Sequence, residues 1–259
     1  MTNTGPALTI GVSTKMYFSF ARTIEYAEAM AGLASSHPAV TDGTVELFVI
    51  PSYPTLPEVV RMLSGTPVRI GAQDVATDDS GAFTGEVSAP MLAEIGCTLA
   101  EVGHAERRRL FGETEEVTAA KTQAALRNGI TPVLCLGEAV EGTAPDAAAE
   151  VIRQLDSALQ GTPRGSAVIV AYEPHWAIGA AQPAPAGHIV AVCRALRDHL
   201  DADERLDDGR VIYGGSAGPG LLTTLGRAVD GIFLGRFAHD PAALGVILDE
   251  AASLHQPES

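Results

Sequence analysis

The feature that most constrains this chain is an alternation of short apolar strands and amphipathic helices along its length. Apolar runs begin at Leu8 (LTIGVS), Val45 (VELFVI), Val68 (VRIGAQ), Cys97 (CTLAEVG), Gly129 (GITPVLCLG), Ala167 (AVIVAYE), Arg210 (RVIYGG) and Asp230 (DGIFLG). Most are continuously apolar rather than alternating, the pattern of a parallel strand covered on both faces. Between them, apolar residues recur at helical spacing: Phe20, Ile24, Ala27, Met30, Ala31 and Ala34; Val151, Ile152, Leu155 and Leu159; Ile189, Val192, Cys193, Leu196 and Leu200. Thr118 to Arg127 and Ala242 to Leu254 are rich in good helix formers. Eight such units of roughly 30 residues each predict an α/β fold, a closed (β/α)8 barrel. No linker divides the chain, so a single domain spanning 1–259 is expected. An open dinucleotide-binding sheet would carry G-x-G-x-x-G after an early strand, whereas strand one ends in Gly11-Val12-Ser13-Thr14-Lys15. The acidic Asp198 to Asp208 run reads as a helix end followed by a solvated loop.

Charge narrows the function classes. With 17 Lys plus Arg against 32 Asp plus Glu, the formal net charge is -15. Nucleic acid and anionic membrane both require a positive patch, so neither is an expected partner. No apolar stretch is long enough to span a bilayer, and the polar N-terminus lacks a secretory pattern. Three scattered cysteines, Cys97, Cys135 and Cys193, argue against a disulfide scaffold and for a reducing cytoplasm.

In a (β/α)8 barrel, chemistry gathers at the C-terminal ends of the strands. Glu173 ends strand six and precedes Pro174, where burial raises a carboxyl pKa and makes it a base near neutrality. Its plain alternative is a surface glutamate beside a loop. The following residues begin stiffly at Pro174-His175-Trp176 and pass into small ones through Gly179-Ala180-Ala181, as a hinged flap would. His104 ends strand four at the start of a helix, whose dipole disfavours imidazolium and leaves a neutral imidazole able to donate to an oxyanion. Its alternative is a structural histidine. Lys15 ends strand one, a cation suited to an anionic substrate or an enolate-like intermediate. Glu106 either holds Lys15 by a salt bridge, or both are surface charges. Glycine turns at Tyr213-Gly214-Gly215-Ser216 and Leu234-Gly235 suit a phosphate cradle after strands seven and eight. No histidine or cysteine spacing suggests a metal site, and the chemistry calls for no cofactor. A base, a neutral electrophile, a cation and a phosphate cradle together suit proton transfer between adjacent carbons of a small phosphorylated hydroxy-carbonyl compound.

The segments Val102-Gly103-His104-Ala105-Glu106-Arg107-Arg108, Ala171-Tyr172-Glu173-Pro174-His175-Trp176-Ala177-Ile178-Gly179 and Tyr213-Gly214-Gly215-Ser216 resemble the triosephosphate isomerase family. Supporting segments are Gly81 to Glu86, Phe111-Gly112-Glu113 and Pro132 to Glu138, all in family order. The resemblance implies a TIM barrel acting as a sugar-phosphate isomerase, with Glu173 as base, His104 as electrophile and Lys15 as cation. The glutamate–neutral histidine pair is a known example from this family. The resemblance also implies phosphate contacts at Gly179, Ser216 and Gly235. The resemblance implies a homodimer too, in which the loop from Gln73 to Glu86, with Thr84, inserts into the partner near its site.

Departures from the family pattern concentrate at the rim. Ser13 replaces an Asn two residues before the lysine, and Ala180-Ala181-Gln182 replaces Thr-Gly-Lys in the lid. Gly235-Arg236 replaces Gly-Gly after strand eight, Ala105 replaces a Ser, and His175 a small apolar residue. Arg236 either grips the phosphate or points away and reshapes the neighbouring helix. These changes favour the conversion of L-erythrulose 1-phosphate to D-erythrulose 4-phosphate. The alternatives are dihydroxyacetone phosphate with D-glyceraldehyde 3-phosphate, as in glycolysis, or a silent barrel that only binds a phosphorylated metabolite.

Overall fold

A computed structural model describes residues 8–179 and 182–254. Eight parallel strands close into a barrel in sequential order: β1 (Leu8–Ser13), β2 (Val45–Ile50), β3 (Arg69–Ala72), β4 (Leu99–Val102), β5 (Thr131–Leu136), β6 (Ser166–Tyr172), β7 (Leu206–Tyr213) and β8 (Gly231–Leu234). Every apolar run singled out in the sequence overlaps one of them, though β6 and β7 begin before their runs, at Ser166 and Leu206. Helices lie outside, with their apolar faces packed on the outward-facing strand residues. Among the described residues, no helix is long and apolar enough to cross a membrane. All three cysteines are buried and free.

Two details depart from the sequence reading. In helix Phe20–Ser36 the buried residues are Thr23, Tyr26, Ala27, Met30 and Ala34, while Phe20 is exposed. The buried stripe is therefore rotated toward Tyr26, whose hydroxyl donates to the Ala238 carbonyl at 2.6 Å. The second concerns the acidic run. Its helix ends at Asp201, but Leu206 to Asp208 already belong to β7. Leu206 and Asp208 pair with Ser166 and Ala167 across a register shift, so the backbone is laddered while both Asp207 and Asp208 remain in solvent. Exposure was legible there; pairing was set by the neighbouring strand.

The barrel interior is layered. At the bottom Glu46 lies between two arginines, 3.2 Å from Arg69 and 3.7 Å from Arg210; Arg210 also donates to Thr9 at 2.9 Å and Arg69 to Thr131 at 3.1 Å. Above it is an apolar layer containing Phe48, Leu99, Val133, Ile169, Ile212 and Phe233. Phe48 fits because Gly11 has no side chain: a Cβ there would sit 2.0 Å from the tip of the ring. The Phe48 and Phe233 rings pack at 5.5 Å between centroids, tilted by 35°. This dry layer supports the polar groups at the mouth and keeps bulk water from reaching them from below.

Gly11→Ala is expected to destabilise the fold by about 1–3 kcal/mol through overpacking, read as a lower urea midpoint. Phe48→Leu in the same chain should recover part of the loss. Unchanged stability in Gly11→Ala would show that the interior is looser than this packing implies.

Candidate active site

The C-terminal mouth of the barrel holds a cavity of about 250 Å³. It is lined by Ser13, Lys15, His104, Glu106, Glu173, Gly179, Ser216, Gly235 and Arg236, so nine residues scattered from 13 to 236 in sequence meet in one place. Tyr17 and Phe237 also line it, and neither was singled out from sequence. Thr84 is exposed on the loop after β3 and does not line this cavity. The altered lid residues Ala180 and Ala181 lie outside the described residues.

Lys15 is the only non-glycine with positive φ among the described residues, at 45°. Such a conformation in a lysine is strained, and it survives because the surroundings fix it. Its carbonyl accepts from Gln73 Nε2 at 2.9 Å and Ser52 Oγ at 3.1 Å. The ammonium then meets Glu106 Oε1 at 2.9 Å. Burial pushes the Lys15 pKa down. The Glu106 hydrogen bond and the charges of Glu173, Glu106 and Glu101 outweigh it and raise the pKa above its ordinary value. Lys15 is a fixed cation here.

His104 caps helix Ala105–Phe111, its Nδ1 accepting from the Glu106 backbone N–H at 3.1 Å. An accepting Nδ1 leaves the proton on Nε2, which points toward Glu173 Oε2 at 3.5 Å. Burial, then the Lys15 charge, lowers the histidine pKa to about 4, so the imidazole is neutral across the physiological range. The helix itself is held from behind. Arg108 donates to the Gly103 carbonyl at 2.8 Å, and Arg107 pairs with Asp74 at 2.9 Å. Asp74 also takes Lys121 at 2.7 Å, and Glu113 binds both Arg107 and Lys121.

Glu173 is only 2 % exposed, and its Oε2 is buried without a hydrogen-bond partner among the described residues. Burial and the neighbouring charge of Glu101 push its pKa up to about 8, although Lys15 and the Cys135 thiol act in the opposite direction. The turn after β7 admits this side chain because residue 214 is glycine. A Cβ there would come within 2.7 Å of the Glu173 carboxyl. The sharp elevation makes this carboxyl an effective proton acceptor once ionised.

The glycine turns converge on the opposite wall. Val12 pairs with Leu234, so Ser13 and Gly235 emerge side by side from β1 and β8. The turn Arg236–His239 is pinned by His239 Nε2 against the Ser13 carbonyl at 3.1 Å. Arg236 is exposed at the cavity wall, its guanidinium carbon 6.0 Å from the Tyr17 ring centroid. Tyr17 lines the same cavity. Ser216 Oγ donates to the Ala177 carbonyl at 3.2 Å, joining the β7 turn to the start of the lid.

Two carboxyls with no assigned role in the sequence reading matter here. Glu138, at the top of β5, accepts from Trp176 Nε1 at 2.8 Å and Tyr172 Oη at 3.1 Å, with His188 Nε2 at 3.3 Å. It tethers the stiff first part of the lid. Glu101, on β4, lies beneath the cavity, where Ser13 Oγ donates to its Oε2 at 3.2 Å. Its signal was a charged residue at an inward-facing position in an otherwise apolar strand. Among the described residues, no group of three or more His, Cys, Asp or Glu is placed to hold a metal.

A buried carboxylate facing a neutral imidazole, with a fixed cation beside both, is equipped to move a proton on a small anionic substrate. The chain is a sugar-phosphate isomerase. It belongs to the triosephosphate isomerase family, whose model, described as triosephosphate isomerase, matches residues 8–251. The chain is 52% identical over 250 residues to an L-erythrulose-1-phosphate isomerase of Pectobacterium atrosepticum, covering 95% of this chain and 96% of that protein. It is 38% identical over 243 residues to the L-erythrulose-1-phosphate isomerase of Mesorhizobium japonicum, covering 88% and 91%. It is also similar to the triosephosphate isomerase of Symbiobacterium thermophilum, 41% identical over 216 residues, covering 80% and 84%.

The buried carboxyls give stability a pH dependence. Their folded pKa values, about 7 for Glu101 and about 8 for Glu173, lie above the ordinary glutamate value. Between that value and about pH 8 the folded state therefore holds more protons than the unfolded chain, so stability falls as pH rises. Each such proton contributes a slope of up to about 1.4 kcal/mol per pH unit. Glu101→Leu should flatten this decline, read from urea midpoints between about pH 5 and pH 8.5. A variant slope as steep as the wild type's would contradict it.

Proposed function

We propose that this barrel interconverts L-erythrulose 1-phosphate and D-erythrulose 4-phosphate. The observation that carries the reading is the 52% identity, over nearly the full length of both chains, to a protein named for that substrate. Ser13 and Arg236 support it. Both are departures from the triose-type pattern, and both line the cavity.

In this reading the substrate phosphate lies against the backbone of Gly179, Ser216 and Gly235, with Arg236 adding planar donors at the rim. Glu173 removes the proton from C3, next to the C2 carbonyl, while Nε2–H of His104 protonates the carbonyl oxygen as it gains charge. Lys15 stabilises the resulting enediolate, and Glu106 keeps that ammonium aimed. Imidazole then takes the proton from the C3 hydroxyl, and Glu173 returns its own proton to C2. The carbonyl now lies at C3. One carbon-bound hydrogen has moved to the adjacent carbon, with no net gain or loss of protons or electrons. The lid between Pro174 and Gln182 would keep water from an intermediate prone to lose phosphate.

A cytoplasmic homodimer belongs to the same proposal. Phe83, 47% exposed, stands on the loop after β3, and Phe111 is 68% exposed beside the groove that Phe83 lines. An apolar loop tip of this kind suits insertion into a second copy, where Thr84 would act as a supporting residue. Light scattering coupled to size exclusion would report a dimer mass.

The reaction is tested by incubating the protein in deuterated water with each candidate substrate and following product and carbon-bound deuterium by NMR. Faster turnover of L-erythrulose 1-phosphate than of dihydroxyacetone phosphate is expected. The reverse order would make the chain a triosephosphate isomerase with an altered rim, and binding without exchange would make it a silent barrel. Glu173→Gln should lower kcat by about 10³-fold with the fold retained. An unaffected rate would remove Glu173 from the mechanism.

A further inference from the structure

Beneath the cavity floor lies a carboxyl that the proton-transfer chemistry does not use. Glu101 is 4% exposed and projects into the barrel from β4, where an apolar side chain would cost nothing to bury. One oxygen accepts the Ser13 hydroxyl proton at 3.2 Å. The other lies 3.8 Å from His104 Nε2, beyond hydrogen-bond distance but next to the nitrogen that would face the substrate's carbonyl oxygen. Its surroundings are Lys15 beyond β1, Asp74 beyond β3, His104 and Glu106 beyond β4, Cys135 on β5 and Glu173 beyond β6. Burial is the main influence on its pKa, raising it to about 7, while Lys15 and the Ser13 hydrogen bond favour the ionised form.

The bond to Glu101 changes what Ser13 presents to the cavity. A serine hydroxyl has one proton; once that proton is given to a carboxylate beneath the floor, only its lone pairs face the substrate. A wall position that would otherwise offer a donor becomes an acceptor, and an acceptor selects a substrate hydroxyl. The four-carbon ketose phosphate differs from the three-carbon one by a terminal CH₂OH on the carbon that gives up its proton, next to Glu173 and His104.

We propose that the Ser13–Glu101 pair is the specificity subsite of this barrel, a polar floor that accepts the terminal hydroxyl of a four-carbon substrate. The inference rests on the four-carbon reading above and adds the residues that select for it. Glu101 acts through Ser13 and is a positioning residue; Ser13 is the group in contact.

The test compares kcat/KM for L-erythrulose 1-phosphate and dihydroxyacetone phosphate in the wild type, Ser13→Ala, Glu101→Leu, Glu101→Gln and the Ser13→Ala/Glu101→Leu double variant. Assays run near pH 8, above the Glu101 pKa, and melting temperatures establish which variants fold. Glu101→Leu should lower the four-carbon to three-carbon ratio by about 10- to 100-fold, the loss expected for one hydrogen bond in a charged network. Ser13→Ala should lower it similarly, and the double variant little further, because the two side chains act as one unit. Glu101→Gln keeps an oxygen able to accept the Ser13 hydroxyl proton and should retain most of the ratio; where Glu101→Leu does not fold, Ser13→Ala carries the test. Equal losses on both substrates, or additive effects of the two substitutions, would overturn the proposal. A wild type that prefers the three-carbon compound would overturn the four-carbon reading itself, an outcome separable because it needs no variant.

Discussion

Glu106 binds this site together twice, and the rest of the mouth depends on both bonds. Its backbone N–H fixes His104 Nδ1, and its carboxylate holds the Lys15 ammonium. The first bond sets the tautomer; the second sets the direction of the charge. Both follow from one local event, the start of a helix immediately after β4, which leaves the Glu106 amide without an intrahelical acceptor. Burial works against an ionised Glu106, but Lys15 keeps its carboxyl below the ordinary range. A single residue thereby couples the imidazole beyond one strand to the cation beyond another.

The electrostatics around it are deliberately unequal. Three glutamates and a lysine surround one imidazole, yet their pKa values separate according to burial and partner. Glu106, half open to solvent and paired to Lys15, stays ionised. Glu173 and Glu101, both sealed above the apolar layer and close to one another, are pushed up together. Two carboxyls sharing a dry site titrate as a pair, so the acid limb of a rate profile belongs to both rather than to the base alone. The dry layer built on Phe48 is what makes this separation possible, since water below would level it.

Much of this is legible in the sequence. Continuously apolar strands read as parallel and covered on both faces, and eight of them at about 30 residues each match a closed barrel better than an open sheet; the strand tops then pick out Lys15, His104 and Glu173. The expected face of helix Phe20–Ser36 departs from the structure at Phe20, because spacing alone cannot tell a small buried Thr23 from a large exposed phenylalanine. The start of β7 was hidden because its pairing comes from β6, while its own residues are polar. Glu101 was passed over for a related reason. Its strand position is inward, but only the approach of Ser13 from β1, 88 residues away in sequence, gives the carboxyl a function. Long-range juxtapositions of this kind have no local signature.

The left-handed backbone at Lys15 sets a limit on how this protein can be improved. A glycine there would relax the turn and by itself stabilise the chain, but it would delete the ammonium. If the proposed chemistry uses that charge, this stabilising route is closed, and the strain must be carried by neighbours. Gln73 and Ser52, which hold the Lys15 carbonyl without lining the cavity, are therefore tied to the placement of that ammonium as closely as the cavity wall is. Selection for activity would act on them as on the cavity wall.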